Sequence, residues 1–335
     1  MRVGLVSFRL GGLDGVAVEA EKWAGALRRL GHEVVRVAGA GPVERVLPGL
    51  AIGAPEPPSA RELADALADV DLVVVENVLS LPLNLGARDV LARTLRGRPS
   101  VVHHHDLALQ RPHLAHLPAP PDDPAWVHVA INRLAVTALR ASGIRAIHLP
   151  NHFDLDPVRG DRDGARARLG VRGTLVLLAS RAIARKNVAG ALAVARRLDA
   201  TLWVLGPSED GYEDELGRLV AASPVRVLRA RVDDVADAYA AADLVVVSST
   251  WEGFGNPVVE AVAHRRPVCA YPYPVLDELG ALGLAVPSLA VERSVLDPTP
   301  SILEDRVARL RPHLDLADLP ERLERVLSML PVPSR

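Results

Sequence analysis

One cysteine, Cys269, two lysines, Lys22 and Lys186, and an aromatic content of 3% are what the 335-residue chain has least of. A lone cysteine closes no internal disulfide, so the disulfide frameworks of small secreted domains are set aside. Charge of one sign is also missing. The 39 basic and 41 acidic residues leave a formal net charge of -2, with no global positive field to hold nucleic acid or an anionic membrane. Long apolar runs are absent as well. The opening MRVGLVSFRL is interrupted by Arg9 and is too short for a signal peptide, and the most apolar later stretch, 279–291, contains Pro287 and cannot cross a bilayer. These absences together predict a reducing, cytoplasmic setting, without membrane insertion or nucleic acid. Because nearly every basic position is Arg, a bias that fits a GC-rich coding genome, a lysine is a rare event here.

What the chain does have is a rhythm. Its length suggests two domains, each able to bury its own core. Short β-branched runs occupy 2–7, 33–38, 71–75, 99–103, 126–131 and 146–150, then 174–179, 201–205, 225–228, 243–247 and 267–271. Runs such as LVVV and TLVLLA are continuously apolar, as strands buried on both faces of a parallel sheet are. Between them lie helical stretches: 16–30, 187–198 and 233–241, with Asn187 and Asp233 as N-caps, and two final helices near 302–311 and 317–330. The pattern predicts an α/β protein of two doubly wound parallel-sheet domains. The Pro-, Asp- and Gly-rich segment 150–164 reads as the linker. The expected division is 1–150, 151–310, and a carboxy-terminal helix in 311–335 packing back on the first domain.

Open parallel sheets bind ligands at the carboxyl ends of their strands, where loops meet helix N-termini. The first strand leads to Arg9, the glycine turn Gly11-Gly12-Leu13-Asp14-Gly15 and a helix. The fourth leads to His103-His104-His105-Asp106. In the second half, strand ends lead to Ser180-Arg181, Arg185-Lys186, Gly206-Pro207-Ser208 and Trp251-Glu252-Gly253-Phe254-Gly255. Polar groups along one edge of each half predict a cleft between facing domains.

The glycine turn alone is weak evidence for a dinucleotide, because the second strand ends without the acidic residue that would hold ribose hydroxyls. Gly253 to Glu260 carry more. Asn256 suits an N-cap and Pro257 the first helical position, so the backbone from Gly255 through Val258 to residue 259 would surround an anion, with Glu252 and Glu260 on opposite sides. A carboxylate accepts two hydrogen bonds from a vicinal diol, which suits Glu260 to ribose and Glu252 to a sugar ring. Arg181 and Lys186, five residues apart across a strand-to-helix loop, can converge on the same phosphates, with Arg185 as the alternative cation.

These residues, with GGLDGV, the His105-Asp106 pair, LPNHFD, SRAIARKN, LGPSEDG and EGFGNPVVEAVAHRRPV, resemble the retaining glycosyltransferases of family four, over nearly the whole chain. The resemblance implies a GT-B fold and a nucleoside diphosphate sugar donor of UDP or GDP type. It places Arg181 and Lys186 on the diphosphate, Glu260 on the ribose, and Glu252 with Gly253 to Gly255 on the transferred sugar. Gly206, Phe254, Asn256, Pro257 and Val258 complete the donor loops. Gly11 and Gly12 would bring backbone to the phosphates, and His105 would contact the donor sugar. Arg9, Asp14, Asp106, Gln110, Arg111 and His113 are the acceptor-side residues, fitting a small polar acceptor. The chain departs from the family in His152-Phe153, where Gly-Val is usual, and in Arg229, where a glycine is common.

No cofactor and no metal are expected. His103 and His105 share one strand face while His104 points the other way, and without a cysteine or carboxylate beside them they make a poor zinc cage. The implied reaction is transfer to an acceptor hydroxyl with retention. A nucleotide-sugar epimerase on the same fold and a non-catalytic sugar-nucleotide binder are the alternatives, and a pyridoxal-dependent phosphorylase is disfavoured by the scarcity of lysines.

Overall fold

A computed structural model describes residues 1–12, 14–111, 114 and 116–331. The chain divides into two units, Met1–His152 with Leu316–Arg335, and Phe153–Asp315.

In the first unit the strands are β1 (Arg2–Ser7), β2 (Glu33–Ala38), β3 (Arg45–Val46), β4 (Leu72–Glu76), β5 (Ser100–His104), β6 (Trp126–Ala130) and β7 (Ala146–His148). They form one parallel sheet in the order β3-β2-β1-β4-β5-β6-β7. The helices are α1 (Gly15–Arg29), α2 (Ala60–Ala66), α3 (Leu85–Thr94) and α4 (Arg133–Ala141). In the second unit β8 (Leu175–Leu178), β9 (Thr201–Val204), β10 (Val227–Leu228), β11 (Leu244–Val247) and β12 (Val268–Ala270) form a parallel sheet in the order β10-β9-β8-β11-β12. Its helices are α5 (Arg162–Leu169), α6 (Val188–Arg197), α7 (Glu213–Ala221), α8 (Val235–Ala241), α9 (Asn256–Ala263), α10 (Leu276–Ala281) and α11 (Pro300–Leu314). The chain then returns to the first unit as α12 (Leu319–Leu327). Among the described residues no helix is long and apolar enough to cross a membrane.

The continuous apolar runs are explained by helices on both sheet faces. Val3, Leu5, Val74, Val101 and Val129 face Trp23, Ala24 and Leu27 of α1 and Leu319, Leu323 and Val326 of α12. Their alternates Val6, Val73, Val75 and Val102 face Leu63, Leu67 and Leu91. Each fully buried side chain of this size contributes about 1.5–3 kcal/mol, so three of them on α12 hold that short helix in place.

Several boundaries differ from expectation. Helix α1 begins at Gly15, because Asp14 accepts a hydrogen bond from the Ala17 amide and caps it. Helix α8 is capped by Asp234 rather than Asp233. Helix α5 starts inside the segment read as linker, where Asp161 caps it through the Gly164 amide. Strand β3 has two residues and no apolar pattern to announce it.

Candidate active site

In the second unit the loop after β8 closes in a short turn over Ala184–Lys186, and Asn187, in the left-handed region at φ 49°, caps α6 through the Gly190 amide. That turn delivers Lys186 to Glu252: Nζ lies 2.5 Å from Oε1, and both residues are buried. Arg185 reaches the other oxygen of Glu252 at 3.4 Å and the Trp251 carbonyl at 3.0 Å. The two loops are stitched further by the Thr250 amide to Arg185 O and the Ser248 hydroxyl to Lys186 O.

Burial is the largest single influence on each member of this pair. Burial pushes the Glu252 carboxyl up, but Lys186 and Arg185 outweigh it and hold Glu252 ionised. Burial lowers Lys186, as do its cationic neighbours Arg185 and Arg181, while Glu252 opposes them. Arg181, expected to converge with Lys186 on the same phosphates, donates to Glu209 Oε2 at 2.5 Å. Gly206 explains how the loops approach. A Cβ there would lie 2.6 Å from the Arg181 amide nitrogen, so a side chain would force the Arg181 loop away from β9.

The start of α9 corrects the sequence reading. Gly255, not Asn256, is the N-cap; its φ of 102° and a Cβ position 2.0 Å from the Tyr273 hydroxyl admit only glycine. Asn256 is then the first helical residue. Pro257 has no N–H, and the Val258 amide donates to Gly255 O at 2.8 Å, so the backbone offers fewer anion donors than the sequence reading expected. Glu252 next to Gly253 lies against Lys186, and Phe254 is buried in a stack with Phe153, ring centres 6.0 Å apart. Phe153 is one of the departures from the family, and its partner belongs to the loop expected to hold the donor. Arg229, the other departure, forms a paired contact with Glu213.

Glu260, one turn into α9, is half-buried and accepts a hydrogen bond from the Tyr239 hydroxyl at 2.5 Å. Burial first and then Glu260 push the Tyr239 hydroxyl well above its ordinary range, so it remains a donor. The Tyr239 ring stacks on His264 at 4.6 Å. Tyr239 and Glu209 were missed from the sequence; the scarcity of tyrosine, four in the chain, was the available signal for the first.

In the first unit, Gly11 has φ 75° and would place a Cβ 2.5 Å from Pro42, which fixes the glycine turn close to a neighbouring loop. Beside Gly12, Asp14 serves as the α1 cap and pairs with Arg9 at 3.0 Å. Asp106 pairs with Arg111 at 2.9 Å. Both amide atoms of the Gln110 side chain are buried without a partner among the described residues. His113 lies outside the described residues.

The histidine strand end divides as its alternation predicts. His104 bonds Ser80 at 2.6 Å and His128 at 2.9 Å on one face. His103 and His105 turn to the other face, where a carboxylate that the sequence reading lacked awaits them. Glu76 Oε2 lies 2.9 Å from His103 Nδ1 and 2.6 Å from His105 Nε2. The three groups are buried, and their ligand-type atoms fall within 4.8 Å of one another. Tetrahedral zinc bonds of 2.0–2.1 Å would hold ligand atoms roughly 3.3 Å apart. Both nitrogens instead converge on one oxygen at hydrogen-bond distance, the arrangement of a carboxylate shared by two N–H donors. The signal that could have found Glu76 is an acid ending the otherwise apolar run LVVVE.

Lys22, the second of the rare lysines, is also committed: its Nζ donates to Glu19 at 3.0 Å and to the His152 carbonyl at 2.7 Å. Both lysines therefore meet local geometric demands.

Two parallel sheets of seven and five strands, with polar groups at their strand ends, form the GT-B architecture. Solved structures agree in fold: Anabaena HepE in complex with UDP-glucose matches with a TM-score of 0.76 at 20% identity, covering 98% of this chain and 100% of that one. WaaG, a glycosyltransferase involved in lipopolysaccharide biosynthesis, matches with a TM-score of 0.68 at 15% identity, over 98% of this chain and 100% of that one. The profile of Glycosyl transferases group 1 matches residues 174–295. Mannosylglucosylglycerate synthase of Thermotoga maritima is 30% identical over 86% of this chain and 85% of its own length. D-inositol 3-phosphate glycosyltransferase of Rhodococcus opacus is 35% identical over 42% of this chain and 37% of its own length. The chain belongs to the group 1 glycosyltransferases, and it is a glycosyltransferase; the epimerase alternative finds no support among these relatives.

Proposed function

We propose that the enzyme moves a hexosyl unit from a UDP- or GDP-sugar to a hydroxyl of a small, anionic, soluble acceptor of the glycerate glycoside class, with retention of configuration and without a metal ion. The observation that carries the reading is the buried Lys186–Glu252 pair with Arg185 and Arg181 around it. A concentration of cations at a strand end is suited to a leaving diphosphate. The name of the Thermotoga relative supports the acceptor class, and the single cysteine supports a cytoplasmic location.

In this reading Arg181 and Lys186 bind the diphosphate, and Glu260 accepts hydrogen bonds from the ribose, held in place by Tyr239. Glu252 and the loop Gly253 to Gly255 meet the transferred sugar, with His105 contributing a ring nitrogen to it. Gly12 brings backbone to the phosphates. Arg9, Asp106, Gln110 and Arg111 belong to the acceptor side, where unpartnered amide atoms of Gln110 await a polar ligand. As the bond from the anomeric carbon to the diphosphate oxygen breaks, negative charge grows on that oxygen and the cations stabilise it. The acceptor hydroxyl attacks from the same face, forms the new carbon–oxygen bond, and passes its proton to the departing diphosphate oxygen. Nothing in this scheme asks for a protein nucleophile.

A thermal-shift screen with UDP-, GDP-, ADP- and dTDP-sugars tests the donor assignment, since a ligand that binds the folded state raises the melting temperature by mass action. A shift with UDP- or GDP-sugars is expected. A shift only with ADP- or dTDP-sugars, or with none, would overturn it.

A further inference from the structure

Glu76 is buried at the end of β4, and nothing in the donor and acceptor assignments uses it. A fully buried carboxylate is costly unless its lone pairs are taken up by charged or hydrogen-bonding partners. Here one oxygen takes both His103 Nδ1 and His105 Nε2, while Oε1 has no partner among the described residues. The next residue works to the same end. Asn77 sits in the left-handed region at φ 68°, where a side chain is disfavoured, and it is buried. From there its Oδ1 accepts hydrogen bonds from the amides of both His105 and Asp106, at 3.2 and 3.1 Å, and its own amide donates to His103 O. Backbone strain of this kind persists only when its surroundings enforce it, and it clusters at functional sites. Glu76 and Asn77 together therefore fix both the ring and the backbone of His105.

We infer that Glu76 is a positioning residue for the transfer reaction: by accepting the His105 Nε2 proton in a hydrogen bond it fixes the ring so that Nδ1 is presented to the donor sugar. The inference rests on the reading that His105 contacts that sugar. Nδ1 is the ring nitrogen with no protein partner among the described residues, and His105 keeps 5% of its surface exposed. His103, stacked on Trp23 at 4.0 Å and tilted against the His105 ring at 4.2 Å, fills the space that would otherwise let that ring turn. The charged groups around His105 are Glu76 from β4, Glu19 from α1, its neighbour Asp106, and His103 on its own strand. Burial opposes a charge on the His105 ring, and Glu76, with smaller help from Glu19 and Asp106, outweighs burial and raises it above its ordinary value. His103 first, and then His105, hold Glu76 down, to about 2, against its own burial. With Nε2–H committed to Glu76, a protonated ring offers Nδ1–H as a donor to a sugar hydroxyl or a phosphate oxygen.

The test is a double-mutant cycle of Glu76→Gln and His105→Ala, assayed for transfer from UDP-glucose and from GDP-mannose to glucosylglycerate, with nucleotide affinity measured by calorimetry. Glu76→Gln is expected to lower kcat at least tenfold with nucleotide affinity unchanged, and to cost nothing further in the His105→Ala background. An equal loss from Glu76→Gln in both backgrounds would mean a structural role and overturn the inference, as would wild-type kcat in Glu76→Gln beside a damaged His105→Ala. Wild-type kcat in His105→Ala would instead overturn the reading of His105 itself. If Glu76→Gln does not fold, nitrogen-15 histidine spectra of the wild-type protein decide the matter. The expected result is a proton on His105 Nε2 and an Nδ1 signal that moves on addition of UDP-glucose or GDP-mannose. An unprotonated Nε2, or an Nδ1 indifferent to both donors, would contradict the inference.

Discussion

Lys186 and Glu252 form a buried ion pair with Nζ 2.5 Å from Oε1, each residue only 7% exposed. Two loops from different strand ends, after β8 and after β11, are joined by this contact. Removing one partner of a buried pair leaves a charge without compensation and costs about 3–5 kcal/mol. In the proposed reading the pair ties catalytic and structural consequences together at one point, whereas Arg181, half-buried on Glu209, carries less of the fold.

Lys186→Ala and Arg181→Ala are each expected to lower turnover by more than about 100-fold, roughly 3 kcal/mol of transition-state stabilisation. Melting temperatures separate the two. Lys186→Ala falls in stability as well, because Glu252 loses its closest cation, while Arg181→Ala melts near the wild type. Wild-type turnover in both variants would remove the diphosphate assignment.

Glu260→Ala is expected to weaken binding of the free nucleoside diphosphate by roughly 1.5–3 kcal/mol, the worth of hydrogen bonds to a charged group. Glu252→Ala leaves nucleotide affinity largely intact and damages transfer and stability. Tyr239→Phe, which strips Glu260 of its hydroxyl donor, falls between, with a loss of about 1 kcal/mol in nucleotide affinity. Titration calorimetry with UDP and GDP reads all three, and equal losses in Glu260→Ala and Glu252→Ala would refute the division of roles.

Stability should fall as pH drops from about 6.5 toward 4, and His264 supplies part of the slope. Burial, and then the neighbouring Arg266, depress its folded-state value from 6.5 to about 4. The unfolded chain therefore binds a proton in that window that the folded protein refuses, and stability is full above the window and lost through it. Replacing His264 with Gln should flatten the pH dependence of urea midpoints between 4 and 6.5. An unchanged slope would assign the effect elsewhere, with His32, His103, His104, His128 and His152, all depressed first by burial, as the other contributors.

The architecture was legible because parallel strands buried on both faces leave β-branched, largely apolar runs, and every strand of more than two residues coincides with one of those runs. The two-residue β3 left none. The loops assigned to the donor stood out in the sequence because their residues are rare types in a fixed order: a lysine in an arginine-rich chain, and two acids flanking a glycine loop. Two features were not. The N-cap of α9 moved to Gly255 because its close approach to Tyr273, distant in fold terms from any local signal, demands glycine and not the side-chain cap that Asn256 suggested. Glu76 was passed over because its meaning comes from sheet order. β4 lies beside β5 in the sheet, and that pairing sets Glu76 opposite His103, a relationship between residues 27 positions apart.

The most direct test is the anomeric configuration of product made by chelator-treated enzyme, read by proton NMR after incubation with UDP-glucose or GDP-mannose and glucosylglycerate. In the proposed reading the cations at Arg181, Arg185 and Lys186 would take the place that a divalent ion would otherwise fill at a diphosphate. The account predicts an α-glycoside, matching the donor, formed at an undiminished rate in EDTA. A β-glycoside, or product that appears only when magnesium or manganese is restored, would contradict it.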